Sequence, residues 1–94
     1  MDFEWDPDKN EENIEKHGVS FELARRAWLD PNRVAARDTK HSGTGEQRYY
    51  LFAIVGGDVL TVRFVRRGEA IRIIGAGFWR EGRDGYEQLN AFRK

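Results

Sequence analysis

The chain has 94 residues, and its 16 Lys and Arg side chains balance its 16 Asp and Glu side chains, so the formal net charge is zero. The absence of cysteine excludes disulfides and thiolate zinc sites, and two histidines are too few for a histidine-rich metal centre. No apolar run approaches the roughly 20 residues that span a membrane, and the acidic beginning is unlike a signal peptide. We expect one cytoplasmic domain, residues 1–94, that needs no metal or cofactor.

The neutral total combines two regions of opposite charge. Residues 1–23 contain eight acidic and two basic side chains, whereas residues 24–94 contain eight acidic and fourteen basic ones. Charges are screened over about 8 Å at physiological ionic strength, so a local excess matters more than the sum. A basic region that attracts phosphate groups is therefore compatible with zero net charge.

The beginning of the chain predicts a strand and a polar helix. Phe3-Glu4-Trp5 alternates as a short strand does, and Asp6-Pro7 is typical of an N-cap followed by proline at the first helical position. The helix is expected to end at His17, with Gly18 as its C-cap. Because Ile14 is its only large aliphatic residue, we interpret it as a solvated surface helix that Ile14 anchors to the core.

The remaining elements predict an α+β fold. Ser20 is expected to cap a second, apolar helix that ends at Leu29. The later elements are expected to be a strand over Val34–Asp38, a loop over Thr39–Glu46, strands over Arg48–Val55, Val59–Arg66 and Ala70–Gly75, and a helix over Glu81–Lys94. The order βααββββα, with short turns between the last strands, predicts an antiparallel sheet with the two N-terminal helices on one face and a C-terminal helix. The other face is left partly open.

Alternation along two strands brings arginines to the open face. Arg63 lies on the opposite face of its strand from the aliphatic residues. Arg72 lies on the same face as Arg63 if no bulge shifts the alternation. Guanidinium groups suit a phosphate backbone because they donate in a planar fork and stay charged. The alternative is that these arginines form ordinary solvated ion pairs with Glu46, Glu69 or Glu81.

Aromatic residues also lie near the predicted open face, where they either stack on RNA bases or fill the core. They are Tyr49, Tyr50, Phe78, Trp79 and Tyr86. Trp79 is the hardest to explain as a core residue, because it follows Gly75-Ala76-Gly77-Phe78, where the chain leaves the sheet. That glycine segment lacks the lysine and the βαβ context of a nucleotide-binding loop, and Ser20 and Ser42 lack a nucleophile elbow.

The chain resembles the BrnT family, the toxins of type II toxin-antitoxin modules. The residues that carry the resemblance are Phe3-Glu4-Trp5-Asp6, Lys9, Asn13, Lys16-His17-Gly18-Val19-Ser20-Phe21, Ala24, Asp30, Glu46, Arg48, Leu60, Arg67, Ile71-Arg72-Ile73-Ile74, Ala76 and Tyr86-Glu87. The resemblance implies a RelE-like fold, RNA cleavage that inhibits translation and growth, and neutralisation by a BrnA-type antitoxin. It also implies that operator DNA is bound only through that antitoxin.

One segment departs from the family pattern. Where the family typically has Ile-Ser-Ala-Arg, this chain has Ile74-Gly75-Ala76-Gly77, so a hydroxyl and a guanidinium are missing. The usual acidic position of the following helix is Arg83, with Glu81 close by. Loss of one preorganised charge donor typically lowers a rate by about 10²- to 10³-fold. A catalytically degenerate homologue that binds antitoxin or RNA without cleaving is therefore the alternative to an active enzyme.

The expected chemistry is metal-independent cleavage, in which the ribose 2′-hydroxyl attacks the adjacent phosphorus and the 5′-oxygen leaves. This reaction needs cations around the phosphorane and groups that move protons. We assign phosphate stabilisation to Arg48, Arg63 and Arg72, and proton transfer to Glu46 or His17. The expected RNA-binding residues are Lys9, Lys16, Arg67 and Trp79.

Overall fold

The computed structural model describes residues 1–43 and 45–92, with the side chains of residues 41–43 left aside. The elements are β1 (Asp2–Glu4), α1 (Pro7–His17), α2 (Phe21–Ala24), a 3₁₀ segment (Arg25–Leu29), β2 (Val34–Gly43), β3 (Glu46–Val55), β4 (Asp58–Arg67), β5 (Ala70–Gly77) and α3 (Arg80–Ala91). The α+β class is confirmed. The expected order βααββββα is wrong, because a 3₁₀ segment follows α2 and replaces the second half of the expected second helix.

The five strands form one sheet in the order β1-β5-β4-β3-β2. Each of β2 to β5 pairs with its sequence neighbour in antiparallel orientation, but β1 lies parallel to β5, with Phe3 opposite Ile71. The sheet is therefore mixed, and the prediction of an antiparallel sheet is wrong. Turn residues specify the antiparallel hairpins, whereas no local signal specifies the orientation of two strands that the whole meander separates.

Two boundaries differ from those predicted by more than two residues. Thr39–Gly43, expected to be part of a loop, continues β2, and Gly43 pairs with Glu46 beyond an irregularity in the register. The glycines that indicated a loop therefore belong to the end of a long hairpin, where Gly45 has a φ of 81°. α3 ends at Ala91 rather than at Lys94, and residues 93 and 94 lie outside the described part of the chain.

The predicted helix caps of the N-terminal half are confirmed. The Asp6 carboxylate accepts a hydrogen bond from the Asp8 amide at 2.8 Å, and Pro7 is the first residue of α1. Gly18 ends α1 in the left-handed region, with a φ of 69°. The Ser20 hydroxyl accepts from the Leu23 amide at 3.0 Å and so begins α2.

The hydrophobic core lies between one face of the sheet and the α2 and 3₁₀ segments. Phe21, Ala24 and Ala27 from these segments are fully buried against the sheet. The buried sheet residues of this core are Leu51, Ala53, Val55, Leu60, Val62, Phe64, Ile71, Ile73 and Ala76. The even-numbered residues of β4 thus face the helices, as the alternation predicts, and its odd-numbered residues face the other way.

The opposite face of the sheet is covered by α3 at one end only. A Cβ atom at Gly85 would approach Phe52 to 2.9 Å, so the two glycines of α3 let this helix lie directly on β3 and β4. The Tyr86 hydroxyl donates to Asp30 Oδ2 at 2.8 Å and ties α3 to the end of the 3₁₀ segment. We call the part of this face beyond α3 the open face.

A β-bulge lies in β5 where it crosses the open face. Arg63 pairs with Gly75 and Phe64 pairs with Ile73, so Ile74 is an extra residue with no partner in β4. On the other side of the bulge Arg72 lies opposite Val65. Arg72 therefore shares the open face with Arg63, and Gly75 rather than Ile74 is the direct neighbour of Arg63.

Candidate active site

One row of residues crosses the open face from edge to edge. In register, the row consists of Asp38, Arg48, Val65, Arg72 and Glu4. Adjacent strands lie about 4.8 Å apart, which places the Cα atoms of Arg48 and Arg72 about 10 Å from each other. Arg72 Nη1 lies 3.0 Å from Glu4 Oε2, so the charge of Arg72 is offset at the sheet edge.

Arg63 occupies the next row, between Tyr50 on β3 and Gly75 on β5. A Cβ atom at Gly75 would lie 3.6 Å from Arg63 Cδ, so the Arg63 side chain extends across the glycine. Arg63 is half-buried, and it forms no ion pair with any described carboxylate. Arg48 Nε lies 3.7 Å from Glu46 Oε1. Among the three arginines expected to bind phosphate, Arg63 is thus the one with no described carboxylate within ion-pair distance.

Two cavities meet at Arg63 and Trp79. The larger, of about 520 Å³, lies beneath the first turn of α3, and its walls are Tyr50, Phe52, Thr61, Arg63, Trp79, Glu81 and Gly82. The smaller, of about 140 Å³, lies against α1, and its walls are Lys9, Glu12, Asn13, Lys16, His17, Arg63, Ile74, Gly75 and Trp79. Both cavities have Arg63 and Trp79 in their walls, and we call the two cavities together, between α1 and α3, the groove.

Asn13 fixes α1 beside this groove. Its Nδ2 donates to the carbonyls of Val19 at 2.8 Å and Ala76 at 2.9 Å, and its Oδ1 accepts from the Ala76 amide at 3.2 Å. Asn13 is 8% exposed and Ile14 is 39% exposed. The expectation that Ile14 anchors α1 is therefore wrong, because an amide that pairs with the edge of β5 performs that role.

We call the hydrogen bonds of Asn13 to Val19 and Ala76 the clamp. They turn the side of α1 that carries Lys9 and Lys16 toward the groove. Around the helix axis Lys9 lies about 40° and Lys16 about 60° from Asn13, so both lysines lie on the side of α1 that faces β5. Both lysines and His17 line the smaller cavity with Arg63. The structure thus brings together four residues that were predicted separately from a helix and from a strand.

Trp79 occupies the space that a side chain at position 77 would need. A Cβ atom on Gly77 would overlap the Trp79 ring, at Cε2 and Cζ2. The same indole meets the His17 ring edge to face, with ring centroids 5.1 Å apart. Gly77 and Trp79 therefore form one structural unit, in which the indole replaces a side chain on the last residue of β5.

Tyr50 lies between Arg63 and the buried carboxylate of Asp38. Burial raises the pKa of Tyr50 above its usual value, and the charge of Asp38 and a hydrogen bond to it raise that pKa further, while Arg63 acts in the opposite direction. Asp38 is 5% exposed. Tyr50 is therefore a neutral hydrogen-bond donor near neutral pH, with its ring beside Phe52 at the wall of the larger cavity.

A scan against protein-family models matches residues 5–81 to the family described as the ribonuclease toxin BrnT of type II toxin-antitoxin systems. The chain belongs to the BrnT family. The resemblance noted in the sequence is thereby confirmed, and a toxin of this class implies an antitoxin partner. No curated protein matches the chain significantly.

The structure separates the two candidates for proton transfer in this BrnT chain. His17 lies in the groove beside Trp79 and shares the smaller cavity with Arg63. Glu46 lies four residues before Tyr50 on the same face of β3, about 14 Å away at ~3.4 Å per residue. Arg67 is exposed at the far end of β4, about as far from Arg63. Glu46 and Arg67 are therefore outside the groove.

Sequence reasoning missed the contribution of Asp38 to the BrnT site. It named Tyr50 only as one of several aromatic residues, and Glu81 only as a neighbour of the family's acidic position. Tyr50 has the same strand parity as Arg48, which is a signal that could have placed it beside Arg63. Asp38 carried no such signal because it was expected beside a loop, and the position of Glu81 depends on the turn after Gly77.

Within the described part of the chain, no group of three or more acidic or histidine side chains is placed to hold a metal ion. Residues 1–43 and 45–92 also contain no helix long and apolar enough to cross a membrane.

Proposed function

We propose that this BrnT chain is an endoribonuclease toxin that cleaves RNA without a metal ion, inhibits translation and growth, and is neutralised by a BrnA-type antitoxin that alone contacts operator DNA. The observation that carries the proposal is Arg63. It is a half-buried cation without a carboxylate partner among the described residues, at the junction of two cavities. Lys9 and Lys16 enter the same groove, which suits the consecutive phosphates of an RNA strand.

In the proposed mechanism the ribose 2′-oxygen forms a bond to the adjacent phosphorus as the bond from phosphorus to the 5′-oxygen breaks. The 2′-hydroxyl gives up its proton and the leaving 5′-oxygen gains one, so the products are a cyclic 2′,3′-phosphate and a 5′-hydroxyl with no net change in protons. Arg63 binds the phosphate oxygens and stabilises the charge of the phosphorane, while Arg48 and Arg72 contribute from the neighbouring row. His17 is the favoured proton-transfer group because it lines the groove, and Glu46 is the more distant candidate.

The decisive comparison is Arg63→Ala with Arg67→Ala. Both residues lie on the same strand and the same face, but only Arg63 reaches the groove. We expect Arg63→Ala to lower the rate of RNA cleavage by about 10²- to 10³-fold and Arg67→Ala to change it little. Arg72→Ala should fall between them, since Glu4 already offsets its charge. Equal rates for the wild type and Arg63→Ala would remove Arg63 from the mechanism.

Metal independence is tested in the same assay by excess chelator, in which wild-type cleavage is expected to persist. The cellular test is inducible expression with and without a BrnA-type antitoxin, followed by mapping of RNA ends. Arrest that comes with new RNA ends and is relieved by the antitoxin is the expected outcome. Growth arrest without new RNA ends would exclude cleavage as its cause.

A second candidate function is a degenerate toxin that binds antitoxin or RNA without cleaving. It is favoured by Gly75 and Gly77, which replace the hydroxyl and guanidinium of the family pattern. Because Trp79 fills the space at position 77, an arginine restored there needs a smaller residue at 79. Cleavage by Gly77→Arg/Trp79→Ala, with none by the wild type, would establish the degenerate function.

A further inference from the structure

The larger cavity has room for one planar ring and aromatic walls on which such a ring can stack. Its volume of about 520 Å³ lies in the range of roughly 300–1,000 Å³ that is common for small-ligand sites. The Tyr50 and Phe52 rings lie nearly parallel along β3, with centroids 6.1 Å apart and planes 10° apart. Trp79 contributes a third aromatic ring to the walls. Bases of single-stranded RNA stack on such rings whatever their sequence.

Polar groups at the cavity add a preference to this stacking. Arg63 lies in its wall and extends toward Gly75, so a base in the cavity lies beside a phosphate bound by Arg63. Glu81, in the exposed first turn of α3, supplies a carboxylate that accepts hydrogen bonds. The Thr61 hydroxyl is buried in the same wall, and it has no hydrogen-bond partner among the described residues.

We propose that this cavity binds one guanine base of the RNA substrate, stacked on Tyr50 or Trp79 and held at its Watson–Crick edge by Glu81. The inference rests on the RNA-cleaving function proposed above and adds a base preference to it. Guanine presents two adjacent donors, N1–H and N2–H₂, which one carboxylate can accept together. Adenine and cytosine place an acceptor beside their amino group, and uracil flanks its single N–H with two acceptors, so each of them repels the carboxylate.

Binding of single nucleotides tests the site without any cleavage. Calorimetry with guanosine 3′-monophosphate and adenosine 3′-monophosphate is expected to show a guanosine preference of roughly 10- to 100-fold for the wild type. Glu81→Gln should abolish most of this preference. Glu87→Gln, the same substitution on the same helix but outside the cavity, should retain it. Equal binding of the two nucleotides by the wild type, or an unchanged preference in Glu81→Gln, would overturn the proposal.

Mapping of RNA ends separates this inference from the proposed function. Cleavage by the wild type next to guanine, with relaxed positions in Glu81→Gln, is the expected result. Cleavage without base preference would overturn the guanine site and leave the ribonuclease function standing. Guanosine preference in binding without any cleavage would support the site and refute the function. Trp79→Phe, which keeps an aromatic ring, should retain binding better than Trp79→Ala, and equal loss in both would exclude stacking on Trp79.

Discussion

Replacement of Asn13 by alanine removes the clamp between α1 and β5. The side chain makes three hydrogen bonds, two to Ala76 and one to Val19, and both partners are at most 1% exposed. The Ala76 amide and carbonyl point away from β4, toward the edge of β5. The neighbouring strand β1 pairs with β5 only as far as Arg72, so it does not reach Ala76. A carboxamide offers the same donor and acceptor as a peptide group, so Asn13 acts as one more strand residue there.

The size of the effect follows from these three bonds. Each intramolecular hydrogen bond contributes about 0.5–1.5 kcal/mol net, so Asn13→Ala should lower the free energy of unfolding by about 3 kcal/mol. In a domain of this size the loss corresponds to a decrease in Tm of roughly 12–24 °C. Ile14→Ala, by contrast, should cost about 1 kcal/mol or less, because 39% of that residue is already exposed.

Thermal and urea unfolding of the two variants tests this ranking, which is the reverse of one based on hydrophobicity. Asn13→Asp is a matched control, because it keeps the shape and the acceptor for the Ala76 amide but turns a charged oxygen toward two carbonyls. It should be at least as unstable as Asn13→Ala at neutral pH and recover partly in acid. An Ile14→Ala loss equal to or larger than that of Asn13→Ala would refute the clamp.

Two further predictions concern α3 and its neighbours. Gly82→Ala should destabilise the fold by about 1–3 kcal/mol, because the new Cβ atom would overlap Thr61 Oγ1. The double variant with Thr61→Ala should recover much of the loss, and additive losses in thermal unfolding would contradict this. Burial alone would raise the pKa of Asp30, but hydrogen bonds from two backbone amides and from Tyr86 lower it below 3.8. The stability that ionised Asp30 contributes is thus present above pH 3.8 and lost as the pH falls through the lower folded pKa. The free energy of unfolding of Asp30→Asn should therefore depend less on pH in this acidic range, and parallel acid profiles would exclude the effect.

Features that depend on neighbouring residues could be predicted from the sequence. Asp6, Gly18 and Ser20 cap helices because a side-chain oxygen or a positive φ acts within one turn of the chain. The aliphatic face of β4 follows from a period of two. Two features could not be predicted, namely the parallel pairing of β1 with β5 and the extension of β2 to Gly43. Both depend on pairing between strands, for which the sequence carries no local signal.

The candidate site was predictable to the extent that it follows strand and helix parity. Arg63 and Arg72 share a face although Ile74 forms a bulge between them. Arg72 pairs with Val65, and Val65 lies on the same face of β4 as Arg63. The contact of α1 with this face was not predictable. It depends on Asn13, a polar residue that hydrophobic periodicity assigns to the solvent.

In the folded protein the basic residues and two of the acidic residues of α1 lie on different sides of the helix. Residues 1–23 contain only two basic side chains, Lys9 and Lys16, and both line the groove with Arg63. Glu11 and Glu15 are exposed about 160–200° from Asn13 around α1, on the side away from β5. The groove has three cationic side chains, Lys9, Lys16 and Arg63, against the carboxylates of Glu12 and Glu81. A polyanion is therefore favoured in the groove over the outer side of the same helix. An antitoxin that blocks the groove should do so with an acidic segment, whereas a basic segment should bind the outer side of α1 and leave Arg63 accessible.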